Sequence, residues 1–145
     1  MKAVIQRVAK AKVTVKDKLI SEIGAGMLIL LGVKRGDNEN QVRELAQRCA
    51  NLRIFEDNNG KFNLSLIDTK GEALVVSQFT LFADTSRGRR PSFTDAEEPE
   101  KAERLYELFI SILNQLGILA KGGIFRERMI VSLDNNGPVT IIMEV

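Results

Sequence analysis

Apolar positions recur with a period of two over most of the chain and at helical spacing in two places. Lys2–Val8 and Lys12–Val15 alternate in part and read as strands, and Leu19–Ile23 reads as a third. After the turn Gly24-Ala25-Gly26, the run Met27–Val33 is apolar on both faces, which predicts a central strand. Asp37 or Asn38 can cap a helix whose inner stripe is Val42, Leu45, Ala46 and Cys49. Asn51–Phe55 leads into a short strand, and Asn59-Gly60 is a hairpin signal. Lys61–Leu66 and a polar turn around Gly71 follow. Pro99 opens a second helix with Ala102, Leu105, Tyr106, Phe109, Leu113 and Leu116 on one face, ended by Gly117. Arg128–Leu133 alternates as a strand, Asp134–Gly137 predicts a turn, and Val139–Val145 is a last apolar strand. Strands outnumber helices without alternating regularly with them, so the expected class is α+β in a single domain spanning residues 1–145.

The pattern breaks within Ala73–Asp84. Ala73–Val76 is a buried-strand run, and Ser77, Gln78 and Thr80 then bring polar groups to its end, interleaved with Phe79, Leu81 and Phe82. Continued as a strand, Gln78 and Thr80 point one way and Ser77, Phe79 and Leu81 the other. A polar cluster at the mouth of a buried strand suits a functional site, because a rigid element holds it. It also fits a plain strand end with satisfied hydroxyls. Downstream, Arg87, Arg89 and Arg90 form a tight basic cluster in a Gly- and Pro-containing loop. Such a cluster is either a phosphate clamp or a solvated loop.

Composition narrows the chemistry. The chain is 44% hydrophobic and 28% charged, with a formal net charge of +2. That charge is too small to make the whole molecule an electrostatic magnet for nucleic acid, so any RNA contact rests on a local patch. There is no histidine and a single cysteine, Cys49. The usual neutral-pH general base and the commonest metal ligand are therefore missing, and neither a zinc site nor another metal is expected. Cys49 lies in a half-apolar helical setting and reads as an inert buried thiol. Asp57, Asn59 and their neighbours resemble a calcium loop only slightly, since the ligand spacing is absent. The amino-terminal MKAVIQRV lacks the apolar length of a signal peptide, and Met27–Leu31 is far too short to cross a membrane. The expected setting is cytoplasmic, with no membrane partner.

SQFTLFAD, RGRRPSF and NNGPVT, in that order and at these separations, resemble the D-aminoacyl-tRNA deacylases. IQRV near the start, NLRIF at Asn51–Phe55 and the Pro99 helix extend the match over essentially the whole chain. The resemblance implies a three-layer β/β/α arrangement, with mostly antiparallel or mixed sheets and two main helices, assembled as a homodimer. It implies hydrolysis of the ester joining a D-amino acid to tRNA, action on mischarged glycyl-tRNA, rejection of L-aminoacyl esters, and no cofactor or metal. It places the catalytic motif on Ser77, Gln78, Phe79 and Thr80. It places a Gly-cis-Pro motif for chiral rejection on Gly137 and Pro138, completing the site of the other subunit, and pocket-side roles on Phe125 and Met129. Arg87, Arg89 and Arg90 become candidate tRNA contacts. One departure is Phe125-Arg126-Glu127-Arg128-Met129, which carries charges where the family commonly has small residues.

The residues limit the mechanism. An aminoacyl ester is already activated, so a chain without histidine can suffice. Backbone N–H groups near Phe79 and Thr80 are candidate oxyanion donors. Thr80 as nucleophile would need a base, and none is evident nearby. The favoured alternative has Thr80 and the backbone positioning a water that the substrate's own 2′-hydroxyl assists. Gly137 permits close backbone approach and Pro138 removes a donor, which suits rejection by clash and would admit glycine. Two rival readings compete: a non-catalytic nucleic-acid-binding dimer using the Arg87–Arg90 loop, and a structural subunit exchanging its VTIIMEV end.

Overall fold

The computed structural model describes residues 1–145. Strand β1 (Lys2–Val15) is the spine. Its first half pairs antiparallel with β3 (Gly26–Gly32), and its second half pairs with β2 (Lys18–Ile23) on the same edge. The opposite edge of β1 pairs along nearly its whole length with β8 (Ile130–Glu144). Beyond β3 the sheet continues in parallel through β6 (Glu72–Ser77) and β7 (Leu119–Gly122). A separate hairpin joins β4 (Phe55–Glu56) to β5 (Phe62–Leu64).

Burial divides the molecule into layers. Helices α1 (Glu39–Ala50) and α3 (Pro99–Gln115) pack with one sheet face around a core that includes Ile5, Ile29, Val75, Leu45 and Phe109. The short α2 (Leu66–Thr69) adds Leu66 to the same core. A second core of Val8, Ala11, Val13, Ile23, Leu28, Leu74 and Val76, backed by Met129, Val131 and Leu133, lies on the other face. It forms where the second half of β1, with β2 and the first half of β8, folds over β3 and β6. The result is the expected β/β/α layering in a mixed sheet. Asn38 caps α1 in a capping box with Gln41, and Pro99 occupies the first turn of α3, as their positions predict.

Four local expectations are corrected. Lys2–Val8 and Lys12–Val15 are one continuous strand. Asp134–Gly137 does not reverse the chain: β8 runs through it, pairing with β1 on both sides. Asn136, Gly137, Pro138 and Val139 stand opposite the single residue Arg7, so the segment is a bulge pushed out of the strand. The apolar end pairs through Thr140–Glu144 with β1 of its own chain, so its apolar character is accounted for without strand exchange. Finally, the strand carrying Ala73–Val76 stops at Ser77, and Phe79–Phe82 forms a turn of 3-10 helix, so strand alternation does not orient Gln78 and Thr80.

Candidate active site

Strand β6 brings Ser77 level with Leu31 of β3, and the Gln78 N–H donates to the Leu31 carbonyl at 2.8 Å. That bond ends the strand and starts the 3-10 turn. The first N–H groups of a helical turn have no partner within it. Those of Phe79 and Thr80 are bonded to nothing in the chain, whereas Leu81 N–H donates to Gln78. Two free donors thus sit side by side just beyond the end of β6. Gln78 Nε2 donates to Thr80 Oγ1, holding the two polar side chains together across the turn.

Beside this turn lies a cavity of about 590 Å³. Ser77, Gln78 and Phe79 line one side, with Val76 at the base. Phe93 meets Phe79 edge-to-face, with ring centroids 5.0 Å apart. Glu97, Glu98 and Pro99, at the start of α3, form a second side. Phe125, Arg126, Glu127 and Met129, from the β7–β8 connection, form a third. Thr80 is exposed and does not line the cavity.

The walls are fixed by polar contacts. Tyr106, on α3, donates its hydroxyl to the Val75 carbonyl at 2.8 Å and accepts from Gly123 N–H at 3.0 Å. This ties α3, β6 and the β7–β8 connection at one atom. Burial pushes the Tyr106 hydroxyl up to about 12. A Cβ at Gly123 would lie 2.4 Å from the Met129 sulfur, so a larger residue there would push the Met129 side chain aside. Glu97 accepts from Lys101 Nζ at 2.6 Å, Gly36 N–H at 3.0 Å and Glu98 N–H at 3.0 Å. The Lys101 hydrogen bond is the largest cause that holds the Glu97 carboxyl down at about 2.

The Gly-Pro bulge is a second constellation. Gly137 has φ +147°, and its bond to Pro138 is cis. Asn135 spans the neck of the bulge, accepting from Val139 N–H at 2.7 Å and donating to the Val139 carbonyl at 3.2 Å. Beneath it, Arg7 is only 6% exposed. Its Nε donates to the Asn136 carbonyl at 2.8 Å, its Nη1 to the Ile54 carbonyl at 2.8 Å, and its Nη2 meets Glu56 at 3.3 Å. Gly137 and Pro138 are exposed and do not line the cavity of their own chain.

Of the residues singled out in the sequence, the fold therefore gathers Ser77, Gln78, Phe79, Phe125 and Met129 around one cavity. It leaves Gly137 and Pro138 on a separate surface. Arg87, Arg89 and Arg90 lie on an exposed loop closed by the bridge Asp84–Ser92, also outside the cavity. Sequence reasoning gave no individual role to Arg7, which stands in the IQRV stretch, to Phe93, the last residue of RGRRPSF, or to Glu97, which precedes α3 without a recognisable pattern. Cys49 is buried, and burial raises its thiol to about 12, in keeping with an inert role. No helix is long and apolar enough to cross a membrane, and no cluster of three or more His, Cys, Asp or Glu residues is arranged to hold a metal.

Residues 4–144 match the family model of D-Tyr-tRNA(Tyr) deacylase. A D-aminoacyl-tRNA deacylase of Carboxydothermus hydrogenoformans is 51% identical over 145 residues, covering 100% of both chains. One of Roseiflexus castenholzii is 58% identical over 144 residues, covering 99% of this chain and 92% of its own. Among solved structures, a protein described as c-Myc DNA Unwinding Element Binding Protein superposes with a TM-score of 0.94 at 41% identity, covering 100% of this chain and 99% of that one. A probable eukaryotic D-amino acid tRNA deacylase, at 17% identity and a TM-score of 0.83, shares the fold. The chain belongs to the D-Tyr-tRNA(Tyr) deacylase family.

Proposed function

We propose that this protein hydrolyses the ester of D-aminoacyl-tRNA, and of mischarged glycyl-tRNA, to tRNA and free amino acid, sparing L-aminoacyl esters. The observation that carries the reading is the pair of unbonded N–H groups of Phe79 and Thr80 beside the cavity. An ester carbonyl seated against them gains two donors as it becomes an oxyanion. One such donor is typically worth about 10²–10³ in rate. Water adds to the carbonyl carbon, and collapse of the tetrahedral adduct expels the terminal ribose oxygen, which takes up a proton. With no histidine, and with only the neutral Gln78 amide bonded to the Thr80 side chain, the substrate's adjacent 2′-hydroxyl is the natural carrier of that proton. Ser77 and Gln78 position the turn and Thr80 the water. Phe125 and Met129 shape the wall against the substrate.

Chiral selection is assigned to Gly137 and Pro138 of a second copy. The exposed bulge, rigidly held by Arg7 and Asn135 yet outside its own cavity, suits insertion into a partner's site. The outer edge of β8 is unpaired, and its Ile130 and Ile142 are 62% and 68% exposed. A homodimer through this face would cover them. The Arg87, Arg89 and Arg90 loop is assigned to tRNA phosphates, and a tRNA substrate puts the protein in the cytoplasm.

A second reading, a nucleic-acid-binding dimer without chemistry, is favoured by one observation: a relative at 41% identity is described as a DNA-element-binding protein. Incubation with D-tyrosyl-tRNA separates the two. Release of free D-tyrosine supports the deacylase, and tight RNA binding without release supports the rival.

A further inference from the structure

The β7–β8 connection carries Arg126 to the rim of the cavity at φ +65°, a conformation that presents the side chain on a tight turn. Every other charged group of that rim except Glu127 is already engaged. Arg35 is paired with Glu98 at 3.0 Å, and Glu97 is bonded to Lys101. Arg126 is exposed and makes no ion pair or side-chain hydrogen bond. It is therefore an uncommitted guanidinium at the edge of a cavity walled by Phe79, Phe93 and Phe125. A free guanidinium matches a phosphate in geometry and charge.

We propose that Arg126 is a substrate-positioning residue that binds the phosphate on the 5′ side of the terminal nucleoside of the RNA substrate. The inference rests on the deacylase reading, which seats the terminal ribose ester at the Phe79–Thr80 turn. A nucleoside held there has its phosphate one backbone step away, within the span of a cavity whose lining includes Arg126. The aromatic walls recognise the uncharged part of the ligand, and Arg126 recognises the nearest charge. Glu127, the adjacent free carboxylate, opposes that charge and limits the affinity.

The test compares D-aminoacyl-tRNA with the corresponding 3′-O-D-aminoacyl-adenosine, which has the ester but no phosphate. The variant is Arg126→Asn, because asparagine tolerates the left-handed backbone. On the tRNA substrate, KM should rise about 1.5- to fivefold, the range of an exposed ion pair. The salt slope of log KM should fall by about 0.7, the value of one single-strand phosphate contact. On the adenosine ester, kcat/KM should be unchanged. Arg126→Lys should restore most of the salt slope, and Glu127→Gln should lower KM for tRNA alone. An equal loss on both substrates would mean that Arg126 merely shapes the cavity and would overturn the proposal, as would no change on either. Failure of the unmutated protein to cleave either ester would instead refute the deacylase reading itself.

Discussion

The guanidinium of Arg7 is buried beneath the Gly-Pro bulge and donates to the carbonyls of Asn136 and Ile54. Removing it leaves two carbonyl acceptors without their donor and Glu56 without its partner. A buried polar group left unsatisfied costs about 1–3 kcal/mol. Arg7→Met is therefore expected to lower unfolding stability by about 2–4 kcal/mol, read as a shifted urea midpoint. Arg7→Lys should recover little, since an ammonium cannot reproduce the fork. An unchanged midpoint in Arg7→Met would show that water replaces the guanidinium without loss. Gly137 sits on the other side of the same contact. A Cβ there would fall 2.6 Å from Val139 Cγ2 and 2.9 Å from Val139 N, at a φ that side chains rarely adopt. Gly137→Ala must deform the bulge, and D-aminoacyl-tRNA turnover should drop about tenfold or more, as expected for strain of 1–3 kcal/mol at a positioned group. Binding of uncharged tRNA should be nearly unaffected, and a matching loss of tRNA affinity would contradict the assignment. At Thr80, the water-positioning role predicts that Thr80→Ala retains measurable deacylation and that no acyl-enzyme accumulates. Trapping an aminoacyl ester on Thr80 would restore the nucleophile reading.

At the scale of elements, the start of α3 is joined to the Lys34–Asp37 loop through one carboxylate. Glu97 gathers Lys101, Gly36 and Glu98, and its pKa is lowered from 4.5 to about 2. A depressed folded-state pKa means that its stabilisation is complete above the unfolded value and is lost as pH falls through the folded one. Stability should therefore decline between about pH 5 and pH 2 in part through this group, and Glu97→Gln should flatten that portion of the curve. An identical pH profile in the variant would remove Glu97 from the acid transition. The same scale shows what sequence can and cannot convey. Helices α1 and α3 were legible because a cap and an apolar stripe agree along α1, and Pro99, a stripe and the Gly117 stop agree along α3. The 3-10 turn at Phe79–Phe82 was not, because Phe79 and Leu81, alternating with Gln78 and Thr80, fit a continued strand equally well. The bulge at Asn136–Val139 reads as a turn from Asn-Asn-Gly-Pro alone, and only pairing with β1 on both flanks reveals a single strand. Strand β7 was missed because Leu-Ala-Lys-Gly lacks alternation, and its partner β6 is 42 or more residues away in sequence.

The whole molecule explains why the motifs are informative yet incomplete in sequence. Ser77, Gln78 and Phe79 meet Phe125 and Met129 across one cavity because Tyr106 fastens α3 to both β6 and the β7–β8 connection. No local pattern encodes that closure. Gly137 and Pro138 lie outside the cavity, which makes the homodimer part of the functional proposal. Absence of histidine and the lone buried Cys49 predict that deacylation persists in excess chelator. Loss of activity restored by added zinc, with the tRNA still folded, would contradict that. Replacing Arg87, Arg89 and Arg90 together by alanine should raise KM for tRNA and reduce its salt dependence, because cations that meet phosphate release counterions. Unchanged values would leave the loop as solvated surface.

The most direct measurement assays D-tyrosyl-, L-tyrosyl- and glycyl-tRNA side by side with the unmutated protein. The account predicts rapid cleavage of the D-ester, cleavage of the glycyl ester, and survival of the L-ester. Equal hydrolysis of D- and L-esters would contradict chiral selection by the Gly137–Pro138 bulge, and survival of all three would contradict the enzyme.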